Sequence, residues 1–172
     1  MMNPGVFQRV LVPVEFVATP EAEIAADRSV EVGDNEWVSV NAWTVQALEL
    51  AARLARGGEV CVVHATPEFT DYATWMSPRN VNELDDAART YSTKLLEVVA
   101  RRHCAGVTIR QVIKPGRALD VILDAAKELG ADAIVLAASA RRRVNRAFLG
   151  STADKVIRQA SCPVVVLPSG TS

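Results

Sequence analysis

Cysteine and histidine are scarce in this chain: three cysteines, Cys61, Cys104 and Cys162, and two histidines, His64 and His103, among 172 residues. No CxxC pair or histidine cluster is present, so nothing has the spacing of a tightly bound metal, and no metal ligand is assigned. An odd cysteine count, with no charged-then-apolar leader and no apolar run of about 18 residues, fits a reducing compartment, and the expected location is cytoplasmic. The cysteines then read as small buried hydrophobes. An excess of one charge is also lacking: the net charge is −1 at pH 7, so neither nucleic acid nor membrane is expected as a partner. The motifs G-x-x-x-x-G-K-[ST], G-x-G-x-x-G and G-x-S-x-G are all missing, which excludes a Walker-type NTPase, a dinucleotide enzyme and a nucleophile-elbow hydrolase. A receiver domain would end its third strand on a phosphoacceptor Asp, where this chain has Lys114-Pro115. No catalytic residue is assigned, and no enzyme activity beyond slow ATP hydrolysis is expected.

What is present is 49% hydrophobic content, enough for one domain over residues 1–172 with a sizeable core. Arg9 to Val14 is a continuous rather than alternating apolar run, the mark of a strand covered on both faces. Similar strands are expected near residues 59–64, 107–113, 132–137 and 163–167. Between them the apolar spacing turns helical. One helix is expected from Asn41 to Arg56, ended by Gly57-Gly58, and a second over Val81–His103 with Leu84, Ala87, Ala88, Tyr91 and Leu95 inward. A third carries Ala118, Val121, Ile122, Ala125 and Leu129 up to Gly130, and a fourth runs Thr152–Ala160 with Ala153, Val156, Ile157 and Ala160 inward. Alternating strands and helices imply an α/β three-layer sandwich around a five-stranded parallel sheet.

Two segments stand outside that alternation. Residues 18–40 are acidic, and Val30-Glu31-Val32, Gly33-Asp34-Asn35 and Glu36 to Val40 alternate about turn residues as a β-hairpin does; a solvated loop is the other reading. Because the segment leaves the first strand at its carboxyl end, it is expected beside any ligand site there. Ala65 to Asn80 carries Phe69, Tyr72 and Trp75 with two prolines, the composition of a loop that caps a site or seals the core edge. His64 ends the second strand without a catalytic partner in any recognisable motif and reads as structural.

The chemistry, if any, belongs to Ala131 to Pro168, where a strand, an arginine-rich loop and Gly150-Ser151-Thr152 lead into a helix. A strand's carboxyl end meeting a helix amino end collects unpaired N–H groups and the positive end of the helix dipole, which suits phosphate. Arg141, Arg142, Arg143 and Arg146 supply guanidinium forks of the right geometry, although so dense a run also reads as a solvated loop.

Four stretches together resemble the universal stress protein family: Leu11 to Phe16, Val62-Val63-His64, Gly130 to Val135, and Gly150-Ser151-Thr152 through Ser161 to Pro168. The resemblance implies an adenine nucleotide alpha hydrolase-like, Rossmann-like sheet in the order 3-2-1-4-5, with a nucleotide site where strands one and four diverge. It covers the chain apart from the acidic insertion. Family members that bind ATP carry Gly-x-x-Gly, nine residues, then Gly-Ser or Gly-Thr; here the positions are Ala137, Ala140 and Gly150-Ser151. The spacing is kept and two glycines are alanine, which is expected to weaken binding through left-handed strain and added methyls. Glu15 stands where the ATP binders usually have Asp. The resemblance implies a nucleotide site made by Pro13, Val14, Glu15, Ala65, Leu136, Ala137, Ser139, Ala140, Arg143, Gly150, Ser151 and Thr152, with the nucleoside end near Glu15 and the phosphates on Gly150 to Thr152. Ser151 is expected either to cap the fourth helix or to meet phosphate.

Two functions follow. One is a stress-response protein that binds ATP or ADP weakly, with or without Mg; the other is a nucleotide-free dimeric interaction module of the same family. Both would act on an unidentified protein partner. A homodimer is expected through Val164 to Leu167, a short apolar last strand whose edge Pro168 leaves uncovered, and the resemblance points to the same edge.

Overall fold

The computed structural model describes residues 6–19, 23–33, 36–68, 77–137 and 150–167. The elements run β1 (Arg9–Pro13), β2 (Val17–Thr19), β3 (Ser29–Gly33), β4 (Glu36–Ser39), α1 (Ala42–Leu54), β5 (Glu59–Thr66), α2 (Pro78–His103), β6 (Thr108–Pro115), α3 (Ala118–Leu129), β7 (Ala133–Ala137), α4 (Ser151–Gln159) and β8 (Val164–Leu167). The main sheet has the order β6-β5-β1-β7-β8, and every pairing in it is parallel. Counting its strands in chain order, that is 3-2-1-4-5, as expected.

The continuous apolar runs are explained by two cores. Val10 and Val12 of β1, Val60 and Val62 of β5, and Ala133 and Val135 of β7 pack with Leu48 and Ala51 of α1 and Leu96 and Val99 of α2. The alternate residues, Leu11, Cys61, Val63, Ile134 and Leu136, pack with Val121, Ile122 and Ala125 of α3 and with Ala153 and Val156 of α4. Each fully buried Val, Leu or Ile contributes roughly 1.5–3 kcal/mol. Buried on both faces, the three central strands need no polar alternation.

Local signals start and stop these elements. Asn41 caps α1 by accepting the Thr44 N–H at 2.7 Å, and Ser77 caps α2 by accepting that of Asn80 at 3.3 Å. Gly58 follows α1 and lies so close to Gln8 that a Cβ there would overlap the Gln8 carbonyl. That space is used: Glu59 N–H donates to Gln8 O at 2.8 Å and launches β5 beside β1. Strands β5 and β6 reach further than expected, to Thr66 and Pro115. Proline is tolerated there because it ends an edge strand, with Gly116 N–H closing on Thr66 O at 3.0 Å.

Helix α2 corrects the expected packing. It buries Val81, Ser92, Leu95, Leu96, Val99 and Ala100, whereas Leu84 is 38% and Tyr91 40% exposed. A helix of 26 residues is about 39 Å long, and eight-residue strands span about 26 Å, so the sheet covers only part of it. The apolar stripe at Leu84, Ala87, Ala88 and Tyr91 is real in the sequence and goes unused by the core. Ile157 is likewise 39% exposed on α4, and Ala118 is exposed at the start of α3.

The acidic insertion forms a separate three-stranded antiparallel sheet, β2-β4-β3. The expected hairpin is present as β3 and β4, with an irregularity between Glu31 and Gly33, and β2 is an addition that a three-residue pattern could not announce. A row of hydroxyls runs across the strands: Thr19 Oγ1 donates to Ser39 Oγ at 2.7 Å, and Ser39 and Ser29 share a 2.7 Å hydrogen bond. The sheet is fastened to the last turn of α2, where Arg102 Nη1 donates to Ala26 O at 3.0 Å and Ser29 O at 3.1 Å.

Candidate functional site

The central strand does not stay beside both neighbours for its whole length. β1 pairs with β7 only at Val10↔Ala133 and Leu11↔Ile134. Its pairing with β5 continues to Pro13↔Val63, and that of β7 with β8 continues to Ala137↔Leu167. Beyond Leu11 and Ile134, therefore, β1 and β7 part. This is the point where the strand order reverses, and the gap opens toward the carboxyl ends, where open α/β sheets place ligands.

On the β1 side the gap is walled by a tightly tied corner. Val14 N–H donates to Val63 O at 2.8 Å, and Val14 O accepts from His64 Nδ1 at 2.8 Å. The Phe16 ring stands edge-on to the His64 ring, with centroids 5.2 Å apart. His64 thus acts structurally, as expected. Pro13 has no N–H, the Val14 N–H is committed to Val63, and one lone pair of the Val14 carbonyl is committed to His64. Glu15 is exposed and Ala65 half-buried one strand over.

On the β7 side, Leu136 is 5% exposed and Ala137 half-buried. Ala137 is the last strand residue, paired with Leu167. Its backbone is therefore extended, and the strain expected of an alanine in a left-handed position does not arise at this residue, whose side chain packs against the core shared with α1 and α2. Ser139, Ala140 and Arg143, together with Arg141, Arg142 and Arg146, lie outside the described residues.

Gly150 is the N-cap of α4, with φ −53 and ψ 152, and among the described residues no side-chain hydrogen bond caps the helix. Ser151 is the first helical residue rather than the cap, so the expected capping role falls away and its hydroxyl is exposed. Thr152 follows, half-buried. Amino-terminal N–H groups without a side-chain acceptor are suited to an anion. Asp154, the acidic residue of this first turn, is drawn into an ion pair with Arg158 at 3.0 Å. Among the described residues, no group of three or more His, Cys, Asp or Glu is placed to hold a metal.

Burial pushes the thiols of Cys61 and Cys104 up to about 12, with Glu59 and Glu49 respectively adding to the rise. They are packing residues, as the sequence suggests. Two residues that sequence reasoning passed over hold the frame of the site. The Asp132 carboxylate accepts the N–H groups of Gln8 at 2.9 Å and Arg9 at 3.0 Å, fixing β7 to the start of β1. His103 joins α2 to the insertion at Asp27 O, 2.7 Å away. No local pattern announces either, because the partners are 124 and 76 positions apart.

Comparison with curated proteins returned no match. Among solved structures, the chain is similar to universal stress protein UspA from Lactobacillus plantarum, with 20% identity, TM-score 0.60 and coverage of 96% of this chain and 99% of that one. A universal stress protein family protein from Arabidopsis thaliana with AMP bound is 20% identical, with TM-score 0.56 and coverage of 93% and 90%. A universal stress protein in complex with cAMP is 15% identical, with TM-score 0.51 and coverage of 96% and 100%. Such likenesses show a common fold. Among the described residues no helix is long and apolar enough to cross a membrane. Residues 7–168 match the Universal stress protein family, and on that match the chain belongs to it.

Proposed function

We propose that the gap between the carboxyl ends of β1 and β7 binds an adenine nucleotide, ATP or ADP, weakly, and that the protein acts through this ligand in a stress response. The observation that carries the reading is the early end of the β1–β7 ladder at Leu11↔Ile134, with the side-chain-free cap of α4 following β7 in the chain. Phosphates lie on the N–H groups of Gly150 to Thr152, where the helix dipole is favourable. The nucleoside end lies toward Glu15, Pro13 and Ala65. Support also comes from the family, two of whose similar members carry AMP and cAMP. No side chain is assigned a catalytic role, and Mg, where present, would come with the nucleotide.

A specific observation favours a second reading, the nucleotide-free dimeric interaction module. Both main-chain groups of Val14 are used within the fold. In either reading the protein works as a homodimer through β8 in the cytoplasm, on a protein partner.

Calorimetry with ATP and ADP, together with absorbance of any nucleotide released from denatured protein, separates the two. Weak binding that Gly150→Val abolishes supports the first. Because Ala137 lies in a strand, Ala137→Gly should tighten binding by less than about 1 kcal/mol, and the larger gain, toward the expected 1–3 kcal/mol, should need Ala140→Gly as well. Absence of binding in wild type and in the doubly glycine-restored variant selects the interaction module.

A further inference from the structure

Helix α2 outruns the sheet that it covers, and its amino-terminal half carries an apolar face that the core does not use. Leu84, Ala87, Ala88 and Tyr91 recur there at helical spacing; Leu84 is 38% and Tyr91 40% exposed, Ala87 is exposed and Ala88 half-buried. The core face of the same helix, with Val81, Ser92, Leu96 and Val99, lies about a quarter turn round from this stripe. The inserted sheet comes near at the Tyr91 end, where burial and, after it, the Glu36 carboxylate raise the tyrosine hydroxyl above its ordinary value.

The charges beside the stripe say what fits it. Arg79, Glu83, Lys94 and Glu97 lie within about 60° of one another round the helix, along the edge of the stripe that points away from the core. Their signs alternate from the amino end, plus, minus, plus, minus, so a second copy running the other way presents the opposite sign to each. Arg79 with Glu97, Glu83 with Lys94, and Leu84 with Tyr91 are pairs each centred within one residue of Ala88, about 1.5 Å of helix rise. An antiparallel second α2 with its two-fold axis at Ala88 therefore sets Leu84 against Tyr91, each flanking cation against an anion, and the small Ala87 and Ala88 where the backbones come nearest. A parallel copy would set every one of these charges against its own kind. The four charges are available: Lys94 makes no ion pair among the described residues, and the pairs Arg79–Glu83 at 3.0 Å and Arg101–Glu97 at 2.6 Å lie on the open helix surface.

We propose that the face of α2 bearing Leu84 and Tyr91 binds the same face of a second copy of this chain, antiparallel about a two-fold axis at Ala88. The contact is distinct from the pairing proposed for β8, because α2 packs over β5 and β6, and β6 is the edge of the sheet opposite β8. A chain that uses both contacts assembles as a dimer of dimers. The α2 contact does not depend on whether the β1–β7 gap holds a nucleotide.

Cross-linking of the full chain tests the geometry, and sedimentation tests the mass. Ala87→Cys, an exposed position beside the axis, should form a disulfide-linked pair under mild oxidation, whereas Glu83→Cys, about 15 Å along the helix from its own counterpart, should not. The wild type, whose Cys61 and Cys104 are buried, gives the background. In sedimentation over a concentration series, Leu84→Asp should remove one doubling of the mass, from four chains to two where β8 also pairs and from two to one where it does not, so failure of either contact reads differently. Lys94→Glu, which turns the Glu83 contact into a repulsion, should raise the dissociation constant of the α2 contact roughly tenfold, and Glu83→Lys added to it should bring the constant back. All of these positions are exposed, so the variants keep the core intact. Equal masses for the wild type and Leu84→Asp, equal cross-linking at positions 83 and 87, or a double exchange that fails to recover would each overturn the proposal and leave the face to a different partner.

Discussion

His64 Nδ1 and the carbonyl oxygen of Val14 lie 2.8 Å apart, across 50 positions of sequence. This bond turns the end of β1 against β5 beyond the last ladder pair, and it orients the His64 ring so that Phe16 meets it edge-on at 5.2 Å. Replacing His64 by Ala removes the donor and the ring contact together. The expected loss of stability is about 1–3 kcal/mol, seen as a lower urea midpoint with an unchanged slope. A variant as stable as the wild type would mean that the corner holds itself without the imidazole.

Gly58 makes a sharper prediction. A methyl at this position overlaps the Gln8 carbonyl and also crowds Ala55 O at 3.1 Å, and both of these are backbone atoms that cannot rotate away. Gly58→Ala should therefore cost about 2–4 kcal/mol by opening the β1–β5 start. Gly57→Ala, at φ +80 but with open space around it, should cost about 1 kcal/mol. Comparable denaturation midpoints for the two variants would contradict the assignment of close approach to Gly58.

Acid sensitivity should centre on Glu59. Burial by itself raises its carboxyl, but hydrogen bonds from the Cys61 thiol and from the Arg110 and Arg9 guanidiniums outweigh this and hold it below the usual glutamate range. A group lowered in the folded chain contributes stability above its unfolded value and loses it as the pH falls through the folded one. Melting temperature should thus fall below about pH 4, and Glu59→Gln should remove part of that fall while lowering stability at neutral pH. Parallel melting curves against pH for the two proteins would assign the acid limb to other carboxylates.

The homodimer proposed above predicts a solution mass of twice the 18.5 kDa chain. β8 is a short strand with β7 on one side, all four residues are half-buried, and no described strand pairs with its other edge. Light scattering should give the double mass for the wild type and the single mass for Val165→Glu, with circular dichroism showing that the variant keeps its fold. A single-chain mass for the wild type would rule out pairing through this edge at the concentration measured.

Much of the fold was legible in the sequence. The runs at Val10 to Val12, Val60 to Val63 and Ala133 to Leu136 are continuous because each strand is covered twice, and α3 stops at Gly130 as expected, whereas α1 ends at Leu54 with Ala55 as its cap, ahead of Gly57-Gly58. These are local properties, in which a residue and its near neighbours carry the whole signal. The order of the sheet came from the likeness of four short stretches to a family. The candidate site was legible only as positions, and its arginine-rich loop lies outside the described residues.

Other features depended on segments that meet only in the folded chain. Helical spacing marks an apolar stripe at Leu84 and Tyr91 but not whether the sheet reaches that far, and here it does not. An alanine in place of glycine looks strained until Ala137 is seen paired with Leu167 in an extended strand. The engaged main chain of Val14, the Asp132 carboxylate on the N–H groups of Gln8 and Arg9, and His103 between Asp27 and Glu49 each join residues about 50 or more positions apart. Composition and periodicity prescribe strands, helices and their buried faces. Which donor meets which acceptor is set by chain crossings that no local pattern encodes.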